Sequence, residues 1–238
     1  MKDSVLLEDL GKRPYIVAVL NKAPVETAQS AQKLGADILE LRVDMLDSCY
    51  HNGEKVSSII RQLKNEVGLP VILTIRSSKE GSIAKISDSK RLAIFREAIS
   101  ETDLVDIEIS SDHINSKVIE LGKTQNKKLI LSYHNFERTP TIACLNDQAE
   151  KACDLGCDIL KIAVMANNME DVRRLLNFCS NWKKTRIAVM SMGYLSEISR
   201  LTGFLFGSCL IYGFVDQPVA SGQLSVKNLT KYYQILYP

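Results

Sequence analysis

A repeated alternation of strand-length and helix-length apolar patterns constrains this chain more than any other feature. Tyr15 to Leu20 reads as a first core strand. Pro24 suits the first turn of a following helix that runs to Leu34 and ends at Gly35. Ile38 to Val43 is a second strand, and Val56, Ile59, Ile60 and Leu63 then recur at helical spacing up to Gly68. Pro70 introduces a third strand, Val71 to Ile75. A polar loop from Arg76 to Asp88 precedes a helix with Leu92, Phe95, Ala98 and Ile99 on one side. Leu104 to Ile109 is the fourth strand, and Ile114 to Leu121 its helix, with Gly122 as the expected stop. Lys128 to His134 is the fifth strand, followed by a helix from Asp147 to Leu155 that ends at Gly156. Asp158 to Met165 is the sixth, followed by a helix from Met169 to Trp182. Arg186 to Met190, a short helix over Leu195 to Leu201, Ser208 to Phe214 and a last helix over Val226 to Leu236 complete the series.

Eight strand-then-helix units imply a parallel sheet with helices on its outside, and eight suit a closed (β/α)8 TIM barrel, an α/β fold spanning 1–238 as one domain. An open doubly wound sheet is the alternative; against it, no strand is followed by a Gly-x-Gly-x-x-Gly or a Walker phosphate loop. Val5 to Leu7 and the segment after Gly11 read as a short hairpin closing the bottom of the barrel.

Composition excludes several classes. The 238 residues are 45% hydrophobic and 24% charged, with 30 basic and 28 acidic side chains giving a net charge of +2. No block of one sign offers a nucleic-acid or membrane-surface footprint. No apolar run approaches the ~18 residues of a spanning helix, and Met1 to Lys12 lacks the apolar region of a secretory signal. The cysteines form no C-x-x-C pair, so a reduced, cytoplasmic protein without structural zinc is expected.

The sixth strand carries one lysine, Lys161, in an otherwise apolar run. Lysine is rarely buried without a partner or a task. Either it pairs with a carboxylate or snorkels to the strand end, or burial removes its charge and leaves a nucleophilic amine able to form a Schiff base. The neighbouring strand ends favour the second. Side chains of one parity share a face. Glu40, Arg42 and Asp44 therefore align on strand two, Asp106 and Glu108 on strand four, and Ser132, His134 and Phe136 on strand five. Arg76 ends strand three, and Met190 with Met192 ends strand seven, as apolar wall. In a barrel these ends line the active-site mouth. Arg42, Arg76 and Arg200 suit a carboxylate or hydroxylated acid, Glu40 suits substrate hydroxyls, and His134 titrates near neutrality as a general acid or base. Arg42 with Glu40 or Asp44 is also a reasonable structural ion pair, and His134 a hydrogen-bonded core histidine. A metal at Asp44, Asp106 and Glu108 is disfavoured by the adjacent cations.

These segments resemble the type I 3-dehydroquinate dehydratase family. The resemblance rests on Glu40-Leu41-Arg42-Val43-Asp44, Thr74-Ile75-Arg76-Ser77 with Glu80-Gly81, Asp106-Ile107-Glu108, Ser132 to Phe136, Lys161, Met190 to Gly193 with Ser199-Arg200, Phe206-Gly207-Ser208 and Gly222-Gln223. It implies a homodimeric barrel, with neither metal nor organic cofactor, that converts 3-dehydroquinate to 3-dehydroshikimate in aromatic amino acid biosynthesis. Lys161 would form the imine, His134 would move the proton, and Glu80 would orient His134. Glu40, Arg42 and Arg76 would hold ring hydroxyls, and Arg200 and Gln223 the carboxylate. Phe136, Met190, Met192 and Tyr212 would wall the pocket, and 215–223 would form a lid. The family lid usually carries a serine where this chain has Val219, so Ser221 is expected to supply a hydroxyl instead. A class I Schiff-base aldolase and a non-catalytic barrel that binds a hydroxy acid are the alternatives.

Overall fold

A computed structural model describes residues 10–237. Among them, eight strands alternate with eight α-helices. The strands are β1 (Tyr15–Leu20), β2 (Ile38–Arg42), β3 (Val71–Thr74), β4 (Leu104–Glu108), β5 (Lys128–Asn135), β6 (Ile159–Met165), β7 (Arg186–Met192) and β8 (Leu210–Phe214). The helices are α1 (Pro24–Lys33), α2 (Gly53–Glu66), α3 (Asp88–Ala98), α4 (Asn115–Thr124), α5 (Ile142–Asp154), α6 (Met169–Asn181), α7 (Ser196–Thr202) and α8 (Val226–Leu236). All strand pairs are parallel, in the order β7-β6-β5-β4-β3-β2-β1-β8. Every residue of β1, β3 and β4 is buried, as strands with helices on one side and a packed barrel on the other require.

The ring closes through one bridge between Ile187 and Ser208. The Cys209 N–H donates to the Ile187 carbonyl (2.7 Å), and the Val189 N–H donates to Ser208 Oγ (3.0 Å). A serine hydroxyl thus takes the place of a ladder carbonyl at the seam. The fold is a nearly closed TIM barrel.

At the N-terminal ends of the strands one device recurs three times. Asp37, Asp103 and Asp158 immediately precede or begin the approach to β2, β4 and β6. Their carboxylates accept the N–H of Ile16 (2.9 Å), Val71 (2.9 Å) and Leu129 (2.8 Å) on the preceding strand. In return, their own N–H groups donate to the carbonyls of those same residues. Asp37 and Asp158 both follow a glycine that ends a helix in the left-handed region, Gly35 (φ 95°) and Gly156 (φ 82°). The matching sequences Gly35-Ala36-Asp37-Ile38-Leu39 and Gly156-Cys157-Asp158-Ile159-Leu160 therefore encode one register-setting unit twice.

Some boundaries differ from the sequence reading. Gly122 does not stop its helix. It lies inside α4 because a side chain there would collide with Leu129, the added Cβ lying 2.6 Å from Cδ2. The stop is Asn126, at φ 54°, after which the Lys127 N–H returns to the Gly122 carbonyl (2.8 Å). The helix after β5 begins five residues earlier than Asp147, where Thr141 Oγ1 accepts the Cys144 N–H as an N-cap. The expected hairpin at Val5 to Leu7 lies outside the described residues. No helix among the described residues is long and apolar enough to cross a membrane.

Candidate active site

At the C-terminal ends of the strands lies a cavity that opens to solvent, with about 590 Å³ of empty space when the solvent at its mouth is included. Lys161 reaches it from β6 and His134 from β5. The register sets Ser132 beside Lys161 and His134 beside Ala163. His134 therefore sits two residues, roughly 6.6 Å, nearer the mouth than the lysine on the adjacent strand, on the same face.

The Lys161 ammonium is buried and donates to Asp106 Oδ2 (2.8 Å) and Glu40 Oε1 (3.2 Å). The Tyr212 ring lies 3.9 Å from its nitrogen. The sequence posed carboxylate pairing and a free amine as alternatives; here the buried lysine has two carboxylates. These belong to a longer chain of charges. Arg76 bonds Asp106 Oδ1 (2.9 Å), Glu108 Oε1 (2.9 Å) and Ser132 Oγ (2.8 Å). Arg91, fully buried in α3, bonds the other Glu108 oxygen (2.5 Å) and the Ile75 carbonyl (2.8 Å). Three cations thus face three carboxylates in an almost dry interior. Burial alone would raise the carboxyls of Asp106 and Glu108. The guanidinium of Arg76, with Lys161 for the first and Arg91 for the second, outweighs burial and holds both below the usual carboxylate range. Burial acts against the charge of Arg76, and Asp106 and Glu108 outweigh it, holding Arg76 above its ordinary value.

His134 is oriented by Glu80. Its Nδ1 lies 2.9 Å from Glu80 Oε2, the same oxygen that accepts the His134 N–H (3.0 Å), while Ser110 Oγ donates to Oε1. A single tight turn, Ser78–Glu80, ended by Gly81 at φ 86°, delivers this carboxylate from the loop after β3. Burial pushes Glu80 up to about 7. Burial, with Arg76 and Lys161 nearby, pushes His134 well below its ordinary value. An ionised Glu80 accepts Nδ1–H, which leaves Nε2 as the lone-pair nitrogen; it has no bonding partner among the described residues.

Arg200 is different from the other cations. It is buried, yet among the described residues no carboxylate pairs with it. Nη1 donates to the Tyr212 carbonyl (3.0 Å), and Nε has no partner among the described residues. Burial alone lowers its pKa to about 10. Tyr212 Oη is likewise buried without a partner, and burial, Glu40 and Asp106 push the phenol well above its ordinary value.

Arg42, Arg76, Met190, Met192, Phe136 and Gln223 also lie on the cavity wall. Arg42 spends Nε and Nη2 on Asp44 (2.9 and 2.8 Å), so the ion pair raised from sequence is present. Asp44 does not continue β2; it sits in a 3-10 turn and also accepts the Arg76 N–H (3.1 Å). Gln223 turns Oε1 back to the Val219 N–H (2.9 Å), leaving its NH₂ as the end free to meet a ligand. Ser221 departs from expectation. It is exposed and off the wall, and its carbonyl accepts the Gly193 N–H (3.3 Å); Val219 and Ala220 line the wall instead. Sequence reasoning gave no task to Asp106 and Glu108, although their shared parity on β4 pointed them inward. Arg91 and Ser110 carried no signal, since one lies mid-helix and the other in a loop.

Comparison with known proteins shows the family. The family model for type I 3-dehydroquinase matches residues 16–238. The chain belongs to the type I 3-dehydroquinase family, a family of hydro-lyases. The 3-dehydroquinate dehydratase of Methanococcoides burtonii is 35% identical over 96% of this chain and 97% of its own. That of a Hydrogenobaculum species is 41% identical over 85% and 89%. Among solved structures, the 3-dehydroquinate dehydratase of Aquifex aeolicus superposes with a TM-score of 0.83 at 34% identity, covering 94% of this chain and 99% of that one. The type I enzyme of Clostridium difficile, solved with covalent modified comenic acid, gives a TM-score of 0.86 at 29% identity over 94% and 92%.

Proposed function

We propose that this chain, acting as one barrel domain in a cytoplasmic homodimer, dehydrates 3-dehydroquinate to 3-dehydroshikimate through an imine on Lys161. The observation that carries this reading is the opening of Lys161, His134 and the unpaired Arg200 into one cavity. An uncompensated buried guanidinium calls for an anion, and a carboxylate seated there by Arg200 and the Gln223 NH₂ sets the rest of a small ring acid toward the lysine.

Lys161 passes one ammonium proton to His134 Nε2 and attacks the C3 ketone, whose oxygen takes that proton and a second from nitrogen and leaves as water. The protonated imine withdraws electrons and acidifies the C2 proton, which His134 Nε2 takes while Glu80 holds Nδ1–H. His134 then returns the proton to the departing C1 hydroxyl, which leaves as water, and hydrolysis frees the product. Glu40, Arg42 and Arg76 meet ring hydroxyls with whatever donors and acceptors their ion pairs leave free. Phe136, Met190, Met192 and Tyr212 give the apolar walls, and the 215–223 segment excludes water. The covalent acid in the Clostridium difficile relative supports a site that bonds covalently to an acid.

The test is borohydride reduction in the presence of 3-dehydroquinate, followed by peptide mapping and an ultraviolet assay of the enone product. A reduced adduct on Lys161 and a rising absorbance are expected. The absence of both sinks the reading.

A further inference from the structure

The contacts of Lys161 raise a counting problem, one that rests on the imine reading above. Condensation converts R–NH₃⁺ and a ketone into R–N⁺H=C and water. One ammonium proton passes to His134 Nε2, freeing the lone pair that bonds the carbonyl carbon. A second moves from nitrogen to the carbonyl oxygen, His134 returns the first, and that oxygen leaves as water while nitrogen makes the second C–N bond and carries the positive charge. A donor with three N–H bonds becomes a donor with one. Before reaction two of those bonds go to carboxylates, Asp106 Oδ2 at 2.8 Å and Glu40 Oε1 at 3.2 Å. Only one carboxylate keeps its bond afterwards.

The surroundings differ between the two. Asp106 is 1% exposed and held from its other side by Arg76 Nη2 (2.9 Å) and by Ser132 Oγ, which donates to Oδ1 (2.7 Å). It sits on β4, in mid-barrel, and its bond to the lysine is the shorter. Glu40 has one other bond, accepted from Thr74 Oγ1 (2.9 Å) on the same Oε1, and its carboxylate reaches the cavity wall. The Tyr212 ring approaches the nitrogen at 3.9 Å, as a face for the charge that persists through the step.

We propose that Asp106 is the fixed counter-ion of the reacting nitrogen: it holds Lys161 for attack and keeps the one N–H of the protonated imine, while Glu40 exchanges its amine contact for a substrate hydroxyl. Asp106 is not the base. It is tied to Arg76 and stays ionised throughout; its task is to keep the imine protonated and therefore electron-withdrawing while His134 removes the neighbouring proton. Asp106 shares Arg76 with Glu108 and Lys161 with Glu40.

Two isosteric substitutions separate the roles. Asp106→Asn keeps shape and removes the anion. It should lower kcat on the order of 100-fold, with KM within about threefold, and deplete the steady-state fraction of enzyme trapped by borohydride on Lys161. Glu40→Gln should act chiefly on KM, with the trapped fraction at saturating substrate preserved. Circular dichroism and urea midpoints report folding. Should Asp106→Asn not fold, Ser132→Ala decides. It keeps the anion but loosens it, and should lower kcat about fivefold or more with the same loss of trapped imine. The proposal is overturned if Asp106→Asn, or Ser132→Ala in its stead, traps as much imine as the parent with kcat within twofold of it, or if the loss falls on KM alone. The parent protein is the control for the function itself: no adduct in the parent sinks the dehydratase reading, whereas equal trapping in parent and variant with kcat within twofold sinks only the role of Asp106.

Discussion

The two sides of the cavity are built on opposite electrostatic plans. On the side of β2 to β6, three cations (Lys161, Arg76 and Arg91) meet three carboxylates (Glu40, Asp106 and Glu108) at 2.5–3.2 Å. On the side of β7, β8 and the lid, Arg200 is buried with a carbonyl for company and an unused Nε. A neutralised network holds its members in place whether or not a ligand is present. An uncompensated cation has its energy balanced only when an anion arrives. On the proposed function, the first side serves the chemistry and the second the capture of the acid.

The sharpest way to break this contrast begins with Lys161. Lys161→Met should remove the borohydride adduct and lower turnover by about 10⁴-fold or more, because no other amine lines the cavity wall. The fold should survive at a cost of about 3 kcal/mol: Glu40 loses its one ion-pair partner among the described residues, whereas Asp106 keeps Arg76. Residual turnover above about one-tenth of the parent's would overturn the covalent reading.

The two arginines then test the plans directly. Arg76→Met leaves Asp106 and Glu108 each short of a partner in a dry interior, and should lower stability by about 3–5 kcal/mol in urea unfolding. Arg200→Met removes a charge that nothing balances. It should shift stability by no more than about 1 kcal/mol while raising KM for the acid substrate about 30- to 100-fold, the value of a charge-assisted bond to carboxylate. If both variants lose similar stability, Arg200 has a partner the contrast denies. If Arg200→Met leaves KM unchanged, the anion sits elsewhere.

A pH profile gives a smaller but signed effect. Glu80 is pushed up to about 7 by burial. Below that pH it carries a proton and no longer accepts Nδ1–H from His134; above it, ionised, it does. Turnover should therefore rise with pH through a midpoint near 7. Glu80→Gln removes the titrating group and should flatten this limb between pH 6 and 8 at a reduced plateau. A limb unchanged in the variant would assign the titration to another group.

Much of the neutralised side was legible in the sequence, and little of the capture side. Strand parity alone turns Glu40, Ser132, His134 and Lys161 inward, because a two-residue period leaves no choice once the helices cover the outside. The alternation likewise fixes eight parallel strands. What parity cannot convey is which inward charges meet across the barrel. Arg91 is on a helix where solvent exposure is the ordinary expectation, and its bond to Glu108 spans two elements. The lid obeys no period at all. Ser221 attracted a role because it has a hydroxyl, but it is exposed and off the cavity wall, beside Gly222, whose left-handed backbone (φ 71°) packs on Ser196, whose Oγ donates to the Gly222 carbonyl (2.6 Å). Gly122 failed as a stop signal for a related reason, since a glycine chosen for lack of a side chain looks in sequence like one chosen for its backbone.

Val219 offers the finest adjustment of the capture side. Its half-buried side chain lines the wall, and its N–H, independent of side-chain identity, holds Gln223 Oε1. Val219→Ser keeps that backbone bond and adds a hydroxyl facing the cavity. The lost methyl groups cost the lid at most about 1 kcal/mol of packing, and one neutral hydrogen bond to a carboxylate returns about as much. The expected result is a KM lowered by about two- to fivefold with kcat unchanged, since the added bond serves ground state and transition state alike. A tenfold rise in KM would mean that the lid contributes apolar contact to the bound ring, and that Arg200 and the Gln223 amide already saturate the anion.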